Sequence, residues 1–405
     1  MEGHADASEL LSAGEPFLRS ISFCADALDR AGIPLGGLDS ECLTRVAPMT
    51  KGGLRDTHWR ERCALTSEGG IILGSSGTTG VPTIYKWTYS DLRHVGKVTQ
   101  PLRQALGVHP GDIGAVWAPI DRSVMGQCML AEFLQEGIDV HILGAVTPDV
   151  ALEQLHGSGA TVLKGLPKAL LGLGSLPAAH DLPLRQVHVG GDLLTERIRR
   201  GIETTLDCRC YNFYGLSEIY GPLAAECLQQ NGMHYLENDT LLEVVDPSTG
   251  RPSAPGAIGV AVFTTLWEKC SPALRYFSGD LVEVLQQPCA CGSDLPRIVH
   301  HGRLRGYDYE GCRPLSALLV DSIISRHSEG LVDFRLTLEN DGASLAVFVS
   351  SDVDEVSLAD ELGEYLRGAV GVETVFEEGV SRESKEMTLV DRRTVTNGDV
   401  PRWPR

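Results

Sequence analysis

Short apolar runs rich in β-branched residues, separated by amphipathic stretches, fill the first half of this chain and restrict its fold class more than any other feature. Runs at 70–73, 113–117, 140–143, 161–163 and 186–189 have strand length, and the stretches 124–136 and 195–206 between them read as amphipathic helices. This rhythm predicts α/β units around a largely parallel sheet. Beyond residue 240 the strand candidates at 241–245, 259–265 and 281–285 crowd together around the turn signals PSTG (247–250) and APG (254–256), which predicts a more β-rich subdomain.

After about residue 302 the pattern changes again. A helix at 315–326, strands at 332–338 and 344–349 around the turn Asn340-Asp341-Gly342, a helix at 358–367 and a strand at 372–377 predict a small α+β domain. A chain of 405 residues has room for both units. No 20–50-residue repeat or low-complexity segment argues for a solenoid or a disordered tail.

With 35 Lys+Arg against 54 Asp+Glu the net charge is −19, which disfavours nucleic acid as a partner. The opening residues lack a basic-then-apolar leader pattern, and no run of about 18 apolar residues occurs, so a cytoplasmic protein without membrane attachment is expected. Eleven cysteines, an odd number, point to reduced thiols or a metal site rather than a disulfide framework.

The segment Ile71-Ile72-Leu73-Gly74-Ser75-Ser76-Gly77-Thr78-Thr79-Gly80-Val81-Pro82-Thr83 runs from a strand into a loop of glycines and hydroxyls. Glycines let backbone N–H groups approach a polyphosphate, and hydroxyls donate further bonds to its oxygens. It has neither the Gly-Lys-Ser/Thr of a Walker A loop nor the GxGxxG order of a dinucleotide fold.

This loop resembles the signature of the adenylate-forming superfamily, which comprises acyl-CoA synthetases, peptide-synthetase adenylation domains and luciferases. Three further motifs follow in the family's order. Tyr214-Gly215-Leu216-Ser217-Glu218 is similar to the motif whose aromatic lies beside adenine and whose acid holds magnesium. Leu274 to Asp280 is similar to the motif whose Asp accepts hydrogen bonds from both ribose hydroxyls. Gly302-Arg303 stands where the family's hinge introduces a mobile C-terminal domain. Gly190-Gly191-Asp192-Leu193-Leu194-Thr195-Glu196 and the short chain are most similar to the phenylacetate-CoA ligase branch.

The resemblance implies a large adenylate-forming N-terminal domain over 1–301, a hinge at 302–305 and a small mobile domain over 306–405. It implies MgATP as co-substrate. Ser75, Ser76, Gly77, Thr78, Thr79 and Gly80 would cradle its phosphates, and Glu218 would hold Mg2+. Gly190, Gly191, Asp192, Tyr214, Gly215, Ser217, Asp280 and Arg303 would complete the nucleotide site. Lys385, in Ser381-Arg382-Glu383-Ser384-Lys385, resembles the family's lysine at the α-phosphate and the carboxylate, although the glycine usual before it is absent. The acid-binding pocket would draw on Trp117, Pro119, Asp121, Arg122, Tyr211, Asn212 and Phe213, whose aromatic walls suit an aryl or heteroaryl acid.

Cys227, His234, Cys289 and Cys291 offer thiolate and imidazole donors suited to a closed, structural zinc site. Some relatives in that branch carry a similar set; the alternative is packing as small buried hydrophobes. Cys208 and Cys210 have no histidine at a matching spacing and are expected in the core. Arg305 stands where the hinge acid is usual, and the loop at 311–314 departs from the branch's thiol-tunnel motif. The acyl acceptor therefore stays open between CoA and a carrier-protein phosphopantetheine. The alternatives are adenylyl transfer to a hydroxyl, as in coenzyme F390 synthetase-like proteins, and a nucleotide-binding relative without turnover. Retention of Glu218, Asp280 and Lys385 argues against the last.

Overall fold

A computed structural model describes residues 7–74, 82–121, 123–247, 249–304, 316–328, 331–339, 342–349, 353–366, 370–376 and 388–391. Strands β1 (Gly70–Gly74) and β2 (Ile84–Thr88) pair antiparallel with each other and stand apart from the main sheet. The reading of 70–73 as part of the parallel sheet is corrected here. The nine residues 75–83 are too few for the crossover that parallel pairing requires. The close pairing also demands Gly70, where an added Cβ would lie 2.1 Å from the Trp87 carbonyl oxygen.

The remaining strands of the first three hundred residues are β3 (Ile113–Trp117), β4 (Asp139–Ile142), β5 (Val162–Gly165), β6 (Gln186–Gly190), β7 (Arg209–Leu216), β8 (Tyr220–Glu226), β9 (Met233–Tyr235), β10 (Thr240–Val245), β11 (Gly259–Thr265), β12 (Tyr276–Leu285) and β13 (Arg297–Arg303). They form one sheet in the order β10-β11-β12-β13-β9-β8-β7-β6-β5-β3-β4. The five strands from β4 to β7 are parallel, and every pairing from β7 to β10 is antiparallel. The change in sequence rhythm thus falls within one continuous sheet, with β7 at the seam.

Alternate residues of a strand face opposite sides, so each parallel strand serves two cores. Leu163, Val187 and Val189 join Ile198 and Ile202 of the helix Glu196–Leu206 on one face. That helix starts where Thr195 accepts a hydrogen bond from Ile198 N at 3.3 Å. Lys164 and His188 turn to the other face, where the helix Val124–Gln135 packs Val124, Cys128, Met129 and Phe133 into the larger core. The helix Tyr89–Val98 is fixed by a capping box between Thr88 and Asp91, with bonds of 2.8 and 3.1 Å.

A four-stranded sheet follows, in the order β16-β15-β14-β17, from β14 (Leu331–Glu339), β15 (Gly342–Val349), β16 (Val370–Phe376) and β17 (Thr388–Asp391). Leu336, Leu345 and Val347 pack against Val320, Ile323 and Ile324 of the helix Ala317–His327 and Leu358 and Leu362 of the helix Glu355–Leu366. Strand β17, parallel to β14, has no counterpart in the pattern reading, because a four-residue strand in a charged segment gives no periodic signal. Among the described residues no helix is long and apolar enough to cross a membrane.

Candidate active site and a cysteine–histidine cluster

Asp280 gathers three of the sequence motifs around one carboxylate. It sits on β12 opposite Arg303 of β13, whose Nε donates to Oδ1 at 3.1 Å, and the Tyr214 hydroxyl from β7 donates to Oδ2 at 2.9 Å. Its own N–H donates to Ser278 Oγ at 3.0 Å. The Asp280 charge holds the Arg303 guanidinium firmly protonated, and burial, followed by the same charge, pushes the Tyr214 phenol well above its usual range. Each oxygen keeps acceptor capacity for a further hydroxyl. His300 lies against the Tyr214 ring, with centroids 4.9 Å apart.

Glu218 lies in the turn between β7 and β8, buried, with Oε1 accepting from the Tyr85 hydroxyl at 3.2 Å. It lines a small cavity with Arg62, Tyr85, Ser271 and Tyr276. The turn is anchored from behind by Lys269, whose Nζ donates to the Glu218 carbonyl at 3.1 Å and to the Ser271 carbonyl at 2.5 Å, and lies over the Trp87 ring. Neither Tyr85 nor Lys269 belongs to a motif, and sequence reading passed over both. Burial lowers the Lys269 ammonium to about 8.

Gly190 ends β6, where a Cβ would meet the Phe213 carbonyl at 2.6 Å. Gly191 adopts φ +79°, a conformation that favours glycine. Asp192 is exposed, and its Oδ1 accepts from Leu193 N at 2.8 Å. Gly215 lets its backbone approach Gly221, whose Cα would lie 2.6 Å from an added Cβ. Ser217 shares the turn that holds Glu218. Ser75, Ser76, Gly77, Thr78, Thr79, Gly80, Arg122 and Lys385 lie outside the described residues.

A second cavity opens beside Gly190, at the carboxyl ends of β5 and β6, where open α/β sheets receive ligands. Met125, Met129, Phe213 and Pro222 line it together with the charged or polar Glu132, Lys164 and His188. Of the residues expected to contact an acid, Phe213 lines this cavity. Trp117 packs in the opposite core, its Nε1 donating to the Val146 carbonyl at 3.1 Å. Tyr211 is buried, its ring edge-to-face with His188 and the centroids 6.2 Å apart. Asn212 donates its N–H to Glu226 at 2.7 Å, Pro119 is half-buried and Asp121 is exposed. Lys164 and His188 were not singled out from the sequence; the signal that could have found them is a polar residue in an otherwise apolar strand.

Cys227 follows β8, His234 lies in β9, and Cys289 and Cys291 occupy the connection from β12 to β13. One donor atom from each lies within 4.8 Å of all the others. Cys227 Sγ is 3.7 Å from Cys289 Sγ, and Cys291 Sγ is 3.2 Å from His234 Nε2. His234 Nδ1 is 3.1 Å from the Leu295 carbonyl, a contact that selects the tautomer with Nε2 free to ligate. Arg199 clamps Glu226 with bonds of 2.8 and 2.6 Å, fixing the strand end that carries Cys227. Soft thiolates and one imidazole, four donors without a carboxylate, suit tetrahedral zinc. Cys208 and Cys210 are buried in the core, as expected, and burial raises the Cys208 thiol to about 12.

The AMP-binding enzyme family model matches residues 71–264. A phenylacetate-coenzyme A ligase of Thermus thermophilus is 29% identical over 388 residues, covering 92% of this chain and 84% of that protein. A phenylacetate-coenzyme A ligase of Pseudomonas putida is 30% identical over 262 residues, 61% of this chain and 59% of its own length. The crystal structure of 2-hydroxyisobutyryl-CoA ligase in the postadenylation state superimposes with a TM-score of 0.78 at 20% identity, covering 95% of this chain and 88% of that one. The sheet order and the motif residues that meet at Asp280 thus accompany a sequence similarity to phenylacetate-coenzyme A ligases and the fold of an acyl-CoA ligase.

Proposed function

We propose that this protein activates an aryl or heteroaryl carboxylic acid with ATP and transfers the acyl group to the thiol of coenzyme A. The convergence of Tyr214, Asp280 and Arg303 in one hydrogen-bonded set carries the reading, since it joins three separated motifs at one carboxylate. In the first step a carboxylate oxygen forms a bond to the α-phosphorus, and the bond from that phosphorus to the pyrophosphate oxygen breaks. In the second the thiol sulfur bonds to the acyl carbon, AMP leaves with one of the acid's oxygens, and the thiol proton passes to solvent.

Each residue has a role set by its chemistry. Asp280 accepts hydrogen bonds from the ribose hydroxyls, and Arg303 and Tyr214 hold its oxygens in place. Ser75, Thr78 and Thr79 donate to the phosphates, with the backbone of Ser76, Gly77 and Gly80 giving close approach. Lys385 offsets charge as the carboxylate attacks the phosphorus. Glu218 is the carboxylate that would hold Mg2+, which when bound supplies charge neutralisation for the phosphates. Cys227, His234, Cys289 and Cys291 would hold Zn2+ as a cross-link between two connections of the sheet, with no open position for chemistry. The unit at 306–405 moves about 302–305 between the two steps.

Coenzyme A is favoured over a carrier protein because relatives matched over 92% and 61% of this chain are CoA ligases. ATP/pyrophosphate exchange against a panel of aryl and alkyl acids, first without CoA, tests the reading. Acid-dependent exchange followed by thioester formation on adding CoA is expected. Exchange without thioester would remove CoA, and ATP binding without exchange would remove the ligase reading.

A further inference from the structure

Strands β5 and β6 are buried along their whole length, the setting in which parallel strands are apolar on both faces. Besides Gln186 at the start of β6, which bonds to the Leu106 carbonyl, two polar residues break that rule at one place. Lys164 and His188 are direct register partners, side by side on the face that lines the cavity next to Gly190. His188 is 1% exposed, and neither of its ring nitrogens has a hydrogen-bond partner among the described residues. A buried polar group left unpaired is costly, so its retention on a cavity wall points to a ligand.

We infer that His188 and Lys164 form the specificity wall of the acid-binding pocket and select an aryl acid bearing an uncharged hydrogen-bond acceptor, a hydroxyl or a ring nitrogen, away from its carboxylate. This rests on the acid-activating reading above and sharpens it. Burial, and then the cations Lys164, Arg185 and Arg103, keep His188 neutral, so it offers one donor and one acceptor. Lys164 Nζ donates to Glu132 Oε2 at 2.6 Å, and no second hydrogen bond from it is found among the described residues. Glu132 is paired on both oxygens, Oε1 accepting from Arg103 at 3.1 Å and Oε2 from Lys164. The wall therefore has spare donors.

It has no spare charge. Arg103 and Lys164 balance Glu132 and Glu136, so a second carboxylate on the ligand would sit there as an unpaired buried ion. Phe213 stacks on His188 with centroids 4.5 Å apart and keeps the imidazole plane fixed against a flat ring.

The test uses matched acids: benzoate against 3- and 4-hydroxybenzoate and the pyridinecarboxylates, and phenylacetate against 4-hydroxyphenylacetate. Two readouts are taken on the full chain, the kcat/KM of acid-dependent pyrophosphate exchange and calorimetric binding of each acid beside a non-hydrolysable ATP analogue. At least one polar acid is expected to exceed its parent by about tenfold or more. In His188→Phe that preference falls to parity, and His188→Asn, which keeps a donor and an acceptor, retains part of it. Parity within every pair in the wild type, or a preference that survives in His188→Phe, overturns the inference, and the wild-type ratios decide if the variants do not fold. A preference seen by calorimetry without exchange supports the wall and removes the ligase reading. Exchange best supported by unsubstituted acids keeps the ligase and removes the wall. Binding of no acid at all removes both.

Discussion

In the antiparallel half of the large sheet, Asp280 meets Arg303 across a single strand pair, and the cysteines of two connections gather at His234 of β9. In the parallel half, Lys164 and His188 become neighbours through a crossover, and Glu132 joins them from a helix earlier in the chain. The first arrangement is made by short-range geometry that recurs as motifs; the second exists only once the fold is complete. Strand β7 stands between them, with Phe213 on the cavity beside Gly190 and the next residue, Tyr214, on Asp280. The two halves therefore should fail separately when altered.

The largest expected effect crosses that division. Lys385→Ala should cut acyl-adenylate formation by about 10²-fold or more while thioester formation from supplied acyl-AMP continues, because its proposed role is confined to charge in the first step. An unchanged exchange rate would take Lys385 out of the site.

Asp280→Asn comes next. Losing charged hydrogen bonds to ribose should raise the KM for ATP by about tenfold or more, with the KM for the acid little changed. Equal rises in both would mean that the two halves are coupled through β7 rather than separable.

Cys289→Ser should lose the approximately one equivalent of zinc expected per chain and lower the thermal midpoint by several degrees, leaving acid selectivity intact. Metal analysis of wild type and variant decides this, and wild-type protein purified without zinc would refute the site.

The smallest effect is a slope. Burial holds Lys269 at about 8, against an ordinary 10.5. Below about 8 the folded chain bears the cost of the buried ammonium. Between about 8 and 10.5 the unfolded chain binds a proton that the folded chain has released, so folding stability gains as pH rises. Lys269→Met lacks this gain. The wild-type-minus-variant difference in urea midpoint should grow across that window, and a constant difference would contradict the assignment.

The legible parts of the sequence were those with a local signature. Tyr214, Glu218 and Asp280 stand in motifs, and the edges of β3 and β11 follow directly from apolar runs bounded by turns. Trp117 shows the limit. An aromatic at the carboxyl end of a parallel strand looked like a pocket wall, but its parity sends it, with Ala115, into the opposite core. Parity depends on where a strand starts, and a shift of one residue reverses every side chain. Tyr85 and Lys269 support Glu218 from more than fifty residues away on each side, a distance over which no spacing pattern survives.

Oxygen tracing tests the central claim most directly. An acid that supports exchange is supplied with both carboxylate oxygens as 18O, together with ATP and CoA, and the products are weighed by mass spectrometry. Activation through an acyl-adenylate predicts AMP carrying one 18O, unlabelled pyrophosphate and a thioester retaining the other 18O. Unlabelled AMP, or ADP with labelled phosphate, would contradict the account.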